Sequence, residues 1–91
     1  KMFSLKADIS DVLEIFVNYV DAPQQKFLYL PDQKFQLHNF RFLEGHRISG
    51  LVLKSKNSFD LYELAALKDN PTEYVRFDFG ETRKIGWIAS R

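Results

Sequence analysis

The sequence predicts a mainly β domain, either a small antiparallel barrel or a β-sandwich, with one short helix near residues 58–68. Apolar and polar residues alternate along several short segments, which is the period of half-buried strands. Nine Phe, four Tyr and one Trp supply the large side chains that a core built from only 91 residues needs. With 45% hydrophobic and 27% charged residues, the composition fits a single compact domain spanning residues 1–91.

The first two segments are predicted strands. Residues 2–9 alternate strictly, with inward positions at Phe3, Leu5, Ala7 and Ile9. The apolar residues of segment 12–20 are also spaced as on one face of a helix, but their β-branched and aromatic types favour a strand. We therefore favour a strand at 12–20, with a helix over residues 9–20 as the alternative.

Residues 26–43 predict a bent or split strand with a turn at Pro31-Asp32, a dipeptide that favours chain reversal and indicates a hairpin. After this turn the apolar side chains change phase, from odd positions at Phe35 and Leu37 to even positions at Phe40 and Phe42. If all four face the core, one extra residue must enter the strand. We therefore expect a β-bulge or sharp bend near His38-Asn39.

Glu44-Gly45 predicts a second hairpin that leads into a strand at 47–55. Within that strand Ile48 and Val52 occupy one face, and Leu51 and Leu53 the other. Apolar residues on both faces indicate that the strand is buried on both sides.

Residues 58–68 are rich in helix-forming residues, follow a possible N-cap at Asn57 and end before Asp69-Asn70-Pro71. They predict a short helix. Two alternating segments, 74–79 and 84–89, then predict a final hairpin around Gly80.

The resulting order, β-β-β-α-β-β over residues 12–89, resembles the five-stranded oligonucleotide/oligosaccharide-binding barrel. The resemblance lies in element order alone, and the additional strand at residues 2–9 departs from the minimal pattern. A small β-sandwich is therefore the alternative architecture.

The residue types present disfavour catalysis and tightly bound cofactors. The absence of cysteine excludes disulfides, thiolate nucleophiles and cysteine-ligated metal. His38 and His46 have no acidic residues spaced to complete a metal site, and neither the serines nor the glycines form a nucleophile or phosphate-binding motif. No apolar run approaches the roughly 18 residues of a membrane span. We expect a non-catalytic domain with no cofactor.

Residues 24–56 carry six Lys or Arg against two Asp or Glu, interleaved with aromatic residues, although the whole chain has a net charge of only +1. Proteins bind single-stranded nucleic acid by stacking bases on rings beside cations that contact phosphates. The candidate phosphate contacts are Lys34, Arg41, Arg47, Lys54 and Lys56. The candidate platforms are Tyr29, Phe40, Phe42 and Trp87.

Docking of a protein partner, or of another part of a parent multidomain chain, through an exposed sheet face or edge is the leading functional hypothesis. Single-strand nucleic-acid binding on the 26–56 surface is the alternative. Carbohydrate recognition by Trp87 and tyrosine rings has less support. Adjacent, solvent-exposed rings would mark the site, because exposed apolar patches indicate interaction surfaces.

Overall fold

The computed structural model describes residues 2–66, 74–78 and 82–85. Strands dominate these ranges, with a 3-10 helix at Pro31–Gln33 between the third and fourth strands. The strands are β1 (Met2–Asp8), β2 (Leu13–Tyr19), β3 (Gln25–Tyr29), β4 (His38–Arg41), β5 (Ile48–Ser55), β6 (Phe59–Ala66), β7 (Val75–Phe77) and β8 (Thr82–Ile85).

The strands form two four-stranded antiparallel sheets. Sheet A has the order β4-β1-β6-β7, and sheet B has the order β3-β2-β5-β8. The mainly β prediction is confirmed, and the architecture is sandwich-like rather than a closed barrel. Segment 12–20 is a strand, as we favoured, because its alternation buries Leu13, Ile15 and Val17 against the other sheet.

Most consecutive strands are divided between the sheets: β1 and β2 lie in different sheets, as do β3 and β4, β4 and β5, β5 and β6, and β7 and β8. The exceptions among the described strands are β2 with β3 and β6 with β7, which pair as antiparallel neighbours within one sheet. The predicted hairpins at Pro31-Asp32 and Glu44-Gly45 are therefore wrong, since the strands on either side of each dipeptide belong to different sheets. The described strands of the predicted final hairpin, β7 and β8, also lie in different sheets, whereas residues 79–81 and 86–89 lie outside the described ranges. A turn does form at Glu44-Gly45, where Gly45 has a φ of 82°. Turn residues promote reversal of the chain, but they do not decide whether the flanking strands pair or cross to the facing sheet.

The predicted helix at 58–68 is also wrong over the described residues, because Phe59–Ala66 is strand β6, paired with β1 and β7. Opposite Lys6 and Ala7 the register shifts, so that Tyr62 is an extra residue in β6. This β-bulge changes the phase of the strand and places Phe59, Leu61 and Leu64 in the core. Residues 67 and 68 lie outside the described ranges.

A second irregularity corrects the prediction for β5. Asn18 pairs with Gly50 and Tyr19 with Ile48, so Ser49 is the extra residue. The bulge turns Ile48, Leu51 and Leu53 to the same buried face, with Val52 half-buried on the outer face. Two-sided burial is not needed to explain the mixed apolar pattern.

Of the two irregularities expected near His38-Asn39, the β-bulge is absent, because His38 and Asn39 pair with β1 in unbroken register. The chain instead turns and bends over residues 34–36, just before β4. Phe35 and Leu37 are 55% and 51% exposed and lie in the connection before β4. The phase change therefore marks the end of a loop, and only Phe40 and Phe42 face inward.

The core lies between the sheets and joins them through aromatic contacts. The Phe3 ring of sheet A packs 5.8 Å from Phe27 of sheet B, and it stacks on Phe40 at 5.1 Å and on Phe42 at 4.9 Å, measured between ring centroids. Leu5, Ile15 and the other inward residues of the central strands are fully buried. The predicted concentration of aromatic residues in the interior is thus observed in the described part of the chain.

Candidate docking surface on sheet A

The structure places the aromatic candidates from the sequence mainly inside the fold. Tyr29 has no exposed surface and Phe42 is 3% exposed, so both rings belong to the core. Phe40 is half-buried and packs against that core. Trp87 lies outside the described residues.

The five candidate cations are distributed over both sheets and three connections. Lys34 follows the 3-10 helix and Arg41 ends edge strand β4 of sheet A. Lys54 lies in β5 of sheet B, while Arg47 and Lys56 lie in the connections before and after β5. The structure does not bring these cations together on one sheet face.

Lys54 and Lys56 line a cleft of about 770 Å³ where the chain passes from β1 to β2 and from β5 to β6. Its wall also carries the carboxylates of Asp11 and Glu14, which balance the two lysines. Ser55 in the same wall has a buried hydroxyl with no hydrogen-bond partner among the described residues. The mixed charge makes this cleft a poor track for phosphates.

Three aromatic side chains that were not among the sequence candidates adjoin one another at the protein surface. Phe35 stacks on Tyr62 with ring centroids 5.8 Å apart, and Tyr62 lies 5.6 Å from Tyr74. Phe35 is 55% exposed, Tyr74 is 56% exposed and Tyr62 is half-buried. We call Phe35, Tyr62 and Tyr74 the aromatic cluster.

Two backbone irregularities create the cluster. Tyr62 is the extra residue of the bulge in β6, and a bulge can redirect a side chain away from the strand's regular alternation. Phe35 has a φ of 64°, a left-handed conformation that costs a residue other than glycine about 1 kcal/mol or more. The register of β6 and β7 pairs Leu61 with Val75, which sets Tyr74 beside Tyr62.

The segment that carries Phe35 is hydrogen-bonded to both sheets. The backbone N–H of Phe35 donates a 2.8 Å hydrogen bond to the carbonyl oxygen of Ala7 in β1. The hydroxyl of Tyr29 in β3 lies 2.8 Å from the carbonyl oxygen of Gln33 and 2.6 Å from that of Gln36, on either side of Phe35. Burial raises the pKa of Tyr29, which keeps this hydroxyl protonated and able to donate.

Charged groups border the cluster on the same outer face. Asp60 Oδ1 accepts a 2.8 Å hydrogen bond from Arg76 Nη1 and a 3.3 Å hydrogen bond from the Tyr74 hydroxyl. The Asp60 side chain is only 16% exposed, and its hydrogen bond raises the pKa of Arg76. Arg76 Nε also lies 3.8 Å from the Asp78 carboxylate. The result is an apolar centre with an ordered polar border.

Partial burial raises the pKa of the Tyr62 phenol, and so do the negative charges of Asp60 and Asp8, whereas Arg76 lowers it. The net effect is a higher pKa than a free tyrosine has. Among the charges that act on this phenol, the carboxylates of Asp60 and Asp8 outnumber the guanidinium of Arg76.

The sequence contained a partial signal for this cluster. Phe35 and Leu37 break the phase of the inward residues that follow them, which indicated an irregularity but not that the two side chains are exposed. Tyr62 lies in a segment rich in helix formers, so its position beside Tyr74 depended on a strand pairing that sequence periodicity did not predict.

Within the described ranges, no three His, Asp or Glu side chains are grouped to hold a metal ion. No helix found among those residues has the length and apolar character to cross a membrane. Comparison of the chain with protein-family models, curated proteins and solved structures gives no match. The role of the docking surface is therefore inferred from its own geometry and charges.

Proposed function

We propose that this domain is a non-catalytic interaction module that docks a protein partner on the aromatic cluster of sheet A. The observation that carries the proposal is the contact of three rings at the surface, two of them more than half exposed. Aromatic residues are enriched at the centres of protein interfaces, where a polar border surrounds them. The Asp60–Arg76 pair supplies such a border.

The backbone at Phe35 supports a functional role. A left-handed conformation at a bulky residue is unfavourable, and such conformations concentrate at binding and catalytic sites. Glycine or asparagine would form this turn at lower cost. A phenylalanine held there, half exposed and stacked on Tyr62, is better explained by recognition than by stability.

The sheet face is a better docking site than the described sheet edges. The described edge strands are short and basic: β4 has four residues and ends at Arg41, and β3 has five residues and carries Lys26. The other two, β7 with three residues and β8 with four, carry Arg76 and Arg83. Short edge strands with basic side chains resist the addition of another strand. The cluster offers side-chain contacts instead.

The test is a selection of displayed peptides on the immobilised domain, followed by affinity measurement with three variants. We expect Phe35→Gly and Tyr74→Ser each to weaken the selected peptides about tenfold or more, as for residues at the centre of an interface. Leu28→Ser is the matched control, because Leu28 is 48% exposed and belongs to sheet B. It should leave affinity unchanged.

Phe35→Gly separates binding from folding. Glycine relieves the left-handed strain, which stabilises the fold, but it also removes the ring contacts and gives the unfolded chain more conformational freedom, which destabilise it. These effects oppose each other, so the free energy of unfolding should change by no more than about 1 kcal/mol. Urea unfolding checks this expectation. Peptides that bind Phe35→Gly and Tyr74→Ser as tightly as the parent would contradict the proposal.

The alternative function is checked in the same preparation. A fluorescent mixed-sequence single strand is titrated at low and high salt against the parent, Lys54→Ala and Phe35→Gly. Binding that weakens steeply with salt and with Lys54→Ala, but not with Phe35→Gly, would favour nucleic acid over protein.

A further inference from the structure

We infer that the aromatic cluster binds a cationic side chain, lysine or arginine, presented by the partner protein. This inference rests on the proposed function and adds the chemistry of the group that is recognised. It follows from the contact between exposed rings and a local excess of carboxylates, which together favour a cation over a neutral or acidic group.

The charges nearest the cluster favour a cation. The charges that raise the pKa of the Tyr62 phenol are those of Asp60, Asp8 and the ionised form of Tyr74, and the charge of Arg76 lowers it. Among groups charged at neutral pH this leaves two carboxylates against one guanidinium. Lys6 and Glu63, which pair across β1 and β6, offset each other. An incoming positive charge would therefore be attracted to this part of the sheet.

Asp8 is the carboxylate best placed to receive the incoming group. It ends strand β1, is half-buried, and its side chain makes no ion pair or hydrogen bond with the other described residues. Asp60, by contrast, already accepts hydrogen bonds from Arg76 and Tyr74 through Oδ1. A cation beside Tyr62 would gain a charge partner in Asp8 without displacing Arg76.

The rings of the aromatic cluster provide the second contribution to binding a cationic side chain. A lysine or arginine stem packs well against aromatic surface, and its positive end is attracted to the electron-rich ring face. Phe35 and Tyr62 stack with 28° between their planes, and Tyr74 is tilted by 40° to Tyr62. The tilt leaves the rings facing in different directions, so more than one of them can contact the same stem.

The experiment is an array of nonapeptides that differ only at the central residue, which is lysine, arginine, norleucine or glutamate. Affinities of the best lysine and arginine peptides are then measured by fluorescence anisotropy, each beside its norleucine counterpart. We expect the cationic peptides to bind about tenfold more tightly than norleucine and the glutamate peptides not to bind. Raising the salt concentration should reduce the difference in affinity between the cationic peptides and their norleucine counterparts.

Asp8→Asn tests the charge without altering the rings. We expect it to weaken the lysine peptide several-fold and to leave the norleucine peptide unchanged. Glu44→Gln removes the same charge from the exposed turn between β4 and β5 and is the matched control. It should change neither affinity.

The outcomes distinguish this inference from the proposed function. If norleucine peptides bind as tightly as lysine peptides and Phe35→Gly abolishes both, the cluster docks a protein without selecting a cation, and only the inference fails. If Phe35→Gly leaves the binding of every peptide intact, the proposed function fails as well. An array in which no cationic peptide exceeds its norleucine counterpart also overturns the inference.

Discussion

At the scale of single residues, Tyr29 has the clearest structural role. From the sequence it was a candidate platform for a stacked base, but its ring is buried and its hydroxyl lies within hydrogen-bond distance of two carbonyl oxygens in the β3–β4 connection. Through that connection the hydroxyl holds Phe35 at the surface. A core residue therefore positions a residue of the docking surface.

Tyr29→Phe should lower the free energy of unfolding by about 1–2 kcal/mol, because it removes the hydroxyl that the carbonyl oxygens of Gln33 and Gln36 share as a donor and leaves Gln33 only its 3.1 Å hydrogen bond from the Gln36 N–H. Urea unfolding measures the loss, and hydrogen exchange should show earlier opening at the Phe35 amide. Tyr74→Phe is the control. Its hydroxyl is at the surface, so a loss below about 0.5 kcal/mol is expected. Equal losses would contradict the role of Tyr29.

Sequence analysis could predict that the alternating rings divide between two faces, but not which rings remain exposed. Phe40 and Phe42 face inward while Phe35 is outside, because a 3-10 helix and a left-handed residue precede β4. Neither feature leaves a periodic signal. The candidate basic residues are exposed, but their distribution over both sheets depends on the topology, which local sequence patterns do not reveal.

At the scale of elements, β6 shows how tertiary context overrides local propensity. Leu, Ala and Glu favour a helix, and the bulge at Tyr62 shifts the inward positions so that they no longer alternate regularly. The segment is nevertheless a central strand, because pairing with β1 and β7 buries Phe59, Leu61 and Leu64. A regular strand in the same place would have been predicted from its alternation.

Ala65→Thr tests this assignment. Ala65 is half-buried and pairs with Ser4 of β1, where threonine should stabilise a strand by about 0.5 kcal/mol through its β-branched side chain and a contact with the serine hydroxyl. In a helix the same substitution would destabilise by a similar amount. Thermal or urea unfolding gives the sign of the change in the free energy of unfolding. A clear loss of stability would contradict the assignment of this segment as a strand.

At the scale of the whole molecule, the two sheets share one hydrophobic core, and we expect them to unfold as one cooperative unit. Phe3 of sheet A contacts Phe27 of sheet B, and each sheet contains strands from both halves of the chain. The number and approximate position of the strands could be predicted, since alternation is local. Their division between sheets could not, because it depends on contacts between residues far apart in sequence.

Leu5→Ala in β1 and Ile15→Ala in β2 should each lower the free energy of unfolding by about 2–4 kcal/mol, since both side chains are fully buried at the centres of their sheets. In both variants far-UV and near-UV circular dichroism should report one coincident transition. Separate transitions would show that the sheets unfold independently.

The pairing of strands that are distant in sequence also affects how the protein folds during its synthesis on the ribosome. The inner strands of both sheets, β1 with β6 and β2 with β5, join the beginning of the sequence to its second half. A nascent chain therefore cannot complete the core between its sheets until β6 has been synthesised and has left the exit tunnel. During that interval its phenylalanines stay accessible to chaperones, and messages truncated before β6 should yield chains that aggregate or are degraded.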